Sequence, residues 1–464
     1  MKKYAIVLAA GKGTRMKTEL PKCAYPLLKK PMIAYIVEHL KNAEIFDELI
    51  VVVGHKKEII QDILNTSVSY AIQEEQLGTG HAVKMAKNYL KDKEGFTFIL
   101  PGDMPLIDDS IIREAINAHE NNKRDLTLIS AIVDDPTGYG RIIKNKENKL
   151  DSIVEENEAS EEQKLIKEIN TGIYVIKNEK LFSALDKINN NNSKGEYYLT
   201  DIVKILRNEN AVICTYLLKT AYKAMGVNDL YALSIAEGRL RHDINKRFML
   251  KGVAMINPET ITIGQNVVIE ENVTIHPNTY ITGNSIIKKN SQIGPNTEIH
   301  NSIIGEGVTC KHSLVYNSRI QEFSTVGPFA HLRDGADIGP RNRIGNFVEV
   351  KKSTTGTNTK ASHLAYIGDA TIGQHVNFGC GAITVNYDGK HKYKTIIGDN
   401  VFVGCNANLI APIEIHDESF IAAGSTLNKN VPKASLAIAR AYQVNKENYM
   451  KLKKEKEKKK NLDK

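Results

Sequence analysis

The sequence predicts two domains of different class in one chain, a doubly wound α/β sheet in the front half and a parallel β-helix in the back half. Three observations predict this. Residues 261–302 read in sixes as ITIGQN, VVIEEN, VTIHPN, TYITGN, SIIKKN, SQIGPN and TEIHNS, with Ile263, Ile269, Ile275, Ile281, Ile287, Ile293 and Ile299 each at the third place. After a first apolar run over 3–10, residues 31–133 instead alternate short apolar runs with helical patterns. Between the two, residues 229–250 carry one helical stripe of Leu233, Leu240, Ile244 and Phe248, which reads as a linker helix.

Taken in order, residues 3–10 form a continuous apolar run, as expected of a parallel strand buried on both faces. The charged start and brief apolar run could mimic a signal peptide, but the run leads straight into a Gly-rich turn and reads as a first strand. That turn, Gly11-Lys12-Gly13, is a natural phosphate cradle, since glycine lets backbone N–H groups approach the oxygens. A P-loop is excluded because GxxxxGK[ST] is absent, and the dinucleotide fingerprint fails because Met16 stands at its third glycine. What remains is a Gly turn followed by two fixed cations, Arg15 and Lys22, which suits a triphosphate. Spacing alone leaves open a plain strand-to-helix turn with surface cations.

Helices are expected at 32–42, 57–64 and 81–90, and strands at 49–53, 69–72 and 96–100, an alternation that puts ligands at the carboxyl ends of the strands. Asp103 falls at such an end, after Pro101-Gly102, where a hard oxygen ligand suits Mg²⁺ carried in on phosphates and a helix cap is the plainer account. In the back half the beat resumes after slips, through Val326, Leu332, Ile338, Ile344 and Val350, and again from Ile367 to Leu427 with a break around 388–394. With three hexads to a coil, as the family resemblance given below implies, residues 251–433 make on the order of ten coils and a prism about 50 Å long. Several histidines lie at turn places of the repeat, but His363 sits where the register is interrupted, and imidazole titrates near neutrality. A base at such a break could serve in proton transfer.

Composition narrows the class. The chain has 464 residues, room for two or three domains, and its 42% hydrophobic and 25% charged residues fit a folded chain with ample core. No apolar run reaches the length of a membrane span, so stable membrane insertion is not expected. Five scattered cysteines without a CxxC pair argue against a disulfide or zinc framework and for a reducing cytoplasm. The net charge of +8 is uneven, because residues 451–464 hold eight Lys against three acidic residues. With no aromatics between those lysines, a solvated, disordered tail is expected rather than a nucleic-acid-binding arm.

LAAGKGTRM with Pro21-Lys22, QLGTGHA, GDMPLI, DDPTGYGRI, EINTGIY, GEYYLTDI and GVN, followed by the hexads, resemble in order the bifunctional N-acetylglucosamine-1-phosphate uridyltransferase / glucosamine-1-phosphate acetyltransferase family, leaving only the tail unmatched. The resemblance implies an α/β nucleotidyltransferase (Rossmann-like) domain over 1–228, a linker helix over 229–250, a left-handed parallel β-helix acetyltransferase domain over 251–437, and a C-terminal segment and basic tail over 438–464. The left hand comes from the resemblance alone, since the usual crossover rule gives a right hand. It implies that Leu8, Ala9, Ala10, Gly11, Gln73, Gly78 and Thr79 hold UTP, that Gly140, Glu155 and Asn170 hold the sugar, and that Asp103 and Asn228 bind Mg²⁺. Arg15 and Lys22 would screen phosphate charge during attack of N-acetylglucosamine 1-phosphate on the α-phosphorus. In the prism it implies His363 as base, Arg333, Lys351, Tyr366 and Asn377 around glucosamine 1-phosphate, and Cys380, Asn386, Tyr387, Cys405, Ala423 and Arg440 along an acetyl-CoA groove. Cys380 and Cys405 replace the Ala and Ser common in the family. A cytoplasmic homotrimer acting on small molecules is the expected state. Two other readings are a single-activity sugar nucleotidyltransferase whose β-helix only assembles or regulates, and a non-catalytic scaffold of the same two folds.

Overall fold

A computed structural model describes residues 1–121 and 123–462. The chain divides into two compact units, 1–240 and 241–464. The division falls inside the helix Leu230–Met249, ahead of the expected edge at 250. Leu233 and Ala236 join a buried cluster of the first unit with Leu27, Met32 and Tyr35. Asn245 of the second unit donates to the carbonyls of Pro258 and Ile261, both at 2.9 Å.

The first unit is built on β1 (Lys3–Ala9), β2 (Glu48–Val53), β3 (Ser69–Ile72), β4 (Phe96–Pro101), β5 (Leu126–Ile132), β6 (Arg141–Lys144), β7 (Leu150–Val154), β8 (Glu168–Lys177) and β9 (Ile213–Leu217). The sheet runs β9-β5-β8-β4-β1-β2-β3, and the β6–β7 hairpin pairs with β8. β4, β1, β2 and β3 are mutually parallel, whereas β8 is antiparallel to β4 and β5. Val7, Val51, Phe98 and Leu100 face one buried cluster and Ile6, Ile50, Val52 and Ile99 the other, which is why these strands read as unbroken apolar runs. The carboxyl ends of β4, β1 and β3 bring Asp103, Gly11 and Gln73 to one edge of the sheet.

In the second unit the third-place residues stack in three inward columns, the arrangement of a left-handed parallel β-helix. Ile263 pairs with Ile281, and the column continues through Ile299, Val315, Leu332, Val350, Ile367, Thr384, Leu409 and Leu427, giving ten rungs. A second column includes Ile275, Ile293, Cys310, Val326, Ile344, Ala361, Phe378, Val403 and Ile421. The third begins at Ile269 and Ile287 and ends at Ile397 and Ile415. Corners are turned by residues with left-handed backbone, chiefly Asn272, Asn278, Asn290 and Asn296. Asn tolerates this conformation, and successive Asn side chains pair along the stack, Asn272 with Asn290 at 2.6 Å and Asn278 with Asn296 at 3.0 Å.

Two departures from a strict beat have local causes. The step from Ile299 to Val315 is 16 residues, against 18 for the first steps, because corners are shortened. The step from Thr384 to Leu409 is 25, because residues near 388–394 leave the coil as a small hairpin bridged between Tyr387 and Lys392. The expected disordered tail is corrected in part. Tyr449–Leu462 is a helix, with residues 449–460 exposed, and its Lys, Glu, Met and Leu are all good helix formers.

Candidate active sites

The edge of the first sheet opens on a cavity of about 530 Å³ lined by Leu8, Ala10, Gly11, Arg15, Lys22, Gln73, Gly78, Thr79 and Asp103 among others. Ala9 does not line it, since its side chain is buried in the core at the end of β1. Gly13 has φ +63, and a Cβ there would lie 2.5 Å from Lys22 Cβ, so the glycine lets the cradle close over the lysine. Gly78 has φ +109 and would strike the Tyr197 carbonyl at 2.6 Å if it carried a side chain. The GEYYLT stretch locks that loop from outside. Tyr197 N–H donates to the Leu77 carbonyl at 2.8 Å and Leu199 N–H to Thr79 Oγ1 at 3.0 Å. Gln73 is nearly buried, and its Nε2 donates to the Gly78 carbonyl at 3.1 Å and meets His81 Nδ1 at 3.0 Å, so the amide is pre-oriented at the cavity wall.

Asn228 enters from a segment more than a hundred residues later. Arg15 Nη2 and Lys22 Nζ donate to its Oδ1 at 2.8 and 2.7 Å, and Lys22 also pairs with Asp103. The Val227 N–H donates to the Asp103 carbonyl at 2.8 Å, which fastens GVN beside PGD. The donor set fits Mg²⁺. The two oxygens are hard, and one cation, the Lys22 ammonium, already touches both. Among the described residues no group of three or more His, Cys, Asp or Glu forms a metal cage. Cys23, just beneath, is pushed up to about 12 by burial and by the Asp103 charge, so its thiol stays protonated.

Gly140, Glu155 and Asn170 form a second group. Asn170 N–H donates to the Gly140 carbonyl at 2.8 Å, and a Cβ on Gly140 would lie 3.6 Å from Glu155 Oε1. Thr200 donates to Glu155 at 3.2 Å, while burial raises the carboxyl above its ordinary range. Tyr139 directly precedes Gly140, and burial first and then the Asp103 charge raise its hydroxyl pKa.

In the prism, His363 stands at the corner of the nine-residue strand Lys360–Gly368. The strands Arg343–Lys351 and Lys360–Gly368 pair through the corner, bringing Asn346 beside His363. His363 Nδ1 meets Asn346 Oδ1 at 2.8 Å. An amide oxygen accepts, so Nδ1 donates and Nε2 carries the lone pair. The register extends this corner. Ala361 pairs with Phe378 and Phe378 with Val403, so Asn346, His363, Cys380, Cys405 and Ala423 occupy equivalent places on successive rungs. Arg440 closes that line beside Gly424.

The adjoining face gathers cations. Arg333 Nε donates to Glu349 Oε1 at 2.7 Å, and Lys351 is nearly buried one rung on. Lys392, which the sequence reading did not single out, comes from the hairpin excursion to lie against Lys351. The neighbouring ammonium lowers the Lys392 pKa, as two cations awaiting an anion require. Tyr366 and Asp369 also face Lys392, and Asn386 donates to Asp369. Tyr387 is exposed at the hairpin base. Asn377 stands apart, on the strand Asn377–Phe378 in a recess with Lys360 and His375. Asn346 was likewise missed, because an Asn in a hexad reads as one more corner residue.

A nucleotidyl transferase family model matches residues 4–226, and a bacterial transferase hexapeptide model of six repeats matches residues 266–301 and 394–429. The chain is 58% identical over 451 residues to the bifunctional protein GlmU of Acholeplasma laidlawii, covering 97% of this chain and 98% of that one. It is 48% identical to the protein of that name from an Exiguobacterium species, covering 97% and 100%, and 46% identical to the one from Shouchella clausii, covering 97% and 99%. Among the described residues no helix is long and apolar enough to cross a membrane.

Proposed function

The chain belongs to the family of bifunctional GlmU proteins, and on that premise we propose which of its residues carry each of its two transfers. It is a bifunctional enzyme of UDP-N-acetylglucosamine biosynthesis, with a nucleotidyltransferase domain and a hexapeptide acetyltransferase domain. That membership sets aside both the single-activity reading and the scaffold reading.

In the front unit UTP lies in the cavity of 530 Å³, its phosphates over the Gly11–Gly13 backbone and its base against Gln73 and Gly78. N-acetylglucosamine 1-phosphate is held by Gly140, Glu155 and Asn170. Its phosphate oxygen attacks the α-phosphorus, the bond to the β-phosphate breaks, and pyrophosphate leaves. The nucleophile is already an anion, so no general base is needed, and the work is alignment and charge screening. Arg15 and Lys22 supply that screening. Asp103 and Asn228 would hold Mg²⁺, which when bound neutralises phosphate charge.

In the back unit Arg333, Lys351 and Lys392 hold the phosphate of glucosamine 1-phosphate, with Tyr366. His363 Nε2 removes the proton from the amine as the amine nitrogen attacks the thioester carbon of acetyl-CoA, the carbon–sulfur bond breaks, and coenzyme A leaves as the thiol with the proton that the imidazolium returns. Asn346 holds the imidazole in the tautomer that leaves Nε2 free and steadies the imidazolium that forms. The acetyl-CoA arm runs along Cys380, Cys405 and Ala423 toward Arg440, past Asn386 and Tyr387. A cytoplasmic homotrimer completes the site. Its support is the separation of Asn377 from the cation face and a corner where Phe329 and Phe347 stack at 5.5 Å with both rings more than half exposed.

The observation that carries the two-site reading is that the prism holds its own polar machinery, the His363–Asn346 pair beside gathered cations, where a merely structural prism would present corner residues alone. Separate assays of the two transfers test it. Asp103→Ala is expected to abolish uridylyl transfer and spare acetyl transfer, and His363→Ala to do the reverse. Equal loss of both activities in either variant overturns it.

A further inference from the structure

The corner that carries His363 runs on into two cysteines. Asn377 pairs with Phe402 and Phe378 with Val403, so Cys380 and Cys405 take equivalent places one rung apart. The turn backbone holds them there. Asn406 N–H donates to the Cys380 carbonyl at 2.8 Å, and a Cβ on Gly379 would lie 2.5 Å from the Cys405 nitrogen. One rung of a parallel stack is about 4.8 Å, within the span of roughly 4.4–6.8 Å between Cα atoms that a disulfide bridges. Side chains at equivalent places of successive rungs leave the coil in the same direction. Both thiols are free and exposed, whereas Cys23 and Cys310 are buried. Cys214 belongs to the first unit, on β9.

We propose that Cys380 and Cys405 form a modification site, a stacked dithiol that a low-molecular-weight disulfide oxidises to an intramolecular disulfide, switching off acetyl transfer. One cysteine thiolate attacks a sulfur of the disulfide RSSR, forming a protein–S–S–R bond and releasing one RSH. The other cysteine attacks the protein sulfur of that mixed disulfide, forming the Cys380–Cys405 bond and releasing the second RSH. Two protein thiols are oxidised, one disulfide is reduced, and the two thiol protons leave on the released RSH molecules. Exposed disulfides of this kind are readily reversed by thiols, as a switch requires. The bond ties the rung next to His363 to the rung beyond it. Its effect on acetyl transfer rests on the reading of this corner as the acetyl-CoA groove, whereas the sulfur chemistry does not.

The test treats the full-length protein with oxidised glutathione and follows intact mass, thiol count and both activities. The expected result is a mass lower by two hydrogens and a fall from five free thiols to three in the unfolded protein. Acetyl transfer should drop by about tenfold or more, since small displacements in a transfer site cost that much. Dithiothreitol should restore it, and uridylyl transfer should not change. Cys380→Ala and Cys405→Ser, each compared with its own reduced state, should never show the loss of two hydrogens. Five thiols remaining, a glutathionyl adduct alone, or a closed disulfide with undiminished acetyl transfer would each overturn the proposal. His363→Ala assayed alongside separates the two ideas. If it still acetylates, the placement of the acetyl site has failed, and mass and thiol count alone then decide whether the dithiol closes.

Discussion

Replacing Asn346 by Ala removes the group that orients the acetyl-transfer base. Its Oδ1 lies 2.8 Å from His363 Nδ1, and the bond becomes charge-assisted as the ring takes the amine proton. Hydrogen bonds to charged groups contribute about 1.5–3 kcal/mol, and the exposure of His363 lowers this to about 1–2 kcal/mol, or about 5- to 30-fold in kcat. The loss falls on a step where charge develops, so kcat should drop while KM for glucosamine 1-phosphate hardly moves. Release of coenzyme A thiol, followed across pH, reads both parameters. Asn346→Gln should recover part of the rate if its longer amide reaches the ring. An unchanged kcat in Asn346→Ala, or a rise in KM with kcat intact, would refute the reasoning.

Three further outcomes follow from the same geometry. Lys392→Ala should raise KM for glucosamine 1-phosphate roughly tenfold. In the unaltered protein that KM should climb as pH rises through the lowered ammonium range of Lys392, because the cation that grips phosphate is then lost, and Lys392→Arg should flatten the rise. Ile293→Ala, fully buried between Ile275 and Cys310, should cost about 2–5 kcal/mol of prism stability. Acetyl transfer should then fail on heating before uridylyl transfer does, which paired thermal inactivation curves would read.

The prism was legible because its inward places hold branched apolar residues at a fixed interval, and Ile263 to Ile299 are all buried as that interval demands. It was less legible where the inward residue is polar. Thr355 accepts from Gly339 N–H at 3.0 Å and from Asn342 Nδ2 at 2.6 Å, and Thr384 Oγ1 accepts from Gly368 N–H at 2.8 Å. Hydrogen bonding makes such burial affordable, and no hydrophobic count finds it. The first unit read clearly because its strands are buried on both faces. Its cavity gathers residues from the ends of three strands, and the motif order pointed to them. Asn346 and Lys392 escaped for different reasons. Asn346 matters only through the rung that sets it beside His363, and Lys392 lies on an insertion with no periodicity. The helical tail escaped because charge density alone was weighed, not the helix-forming character of Lys and Glu.

One chain carries two transfers on separate units, and mixing the two single-site variants puts that to the test. Asp103→Ala and His363→Ala, each unable to complete the sequence alone, are combined with glucosamine 1-phosphate, acetyl-CoA, UTP and Mg²⁺. The mixture should form UDP-N-acetylglucosamine while neither variant does so by itself. A mixture as inactive as its components, with both proteins folded, would contradict it.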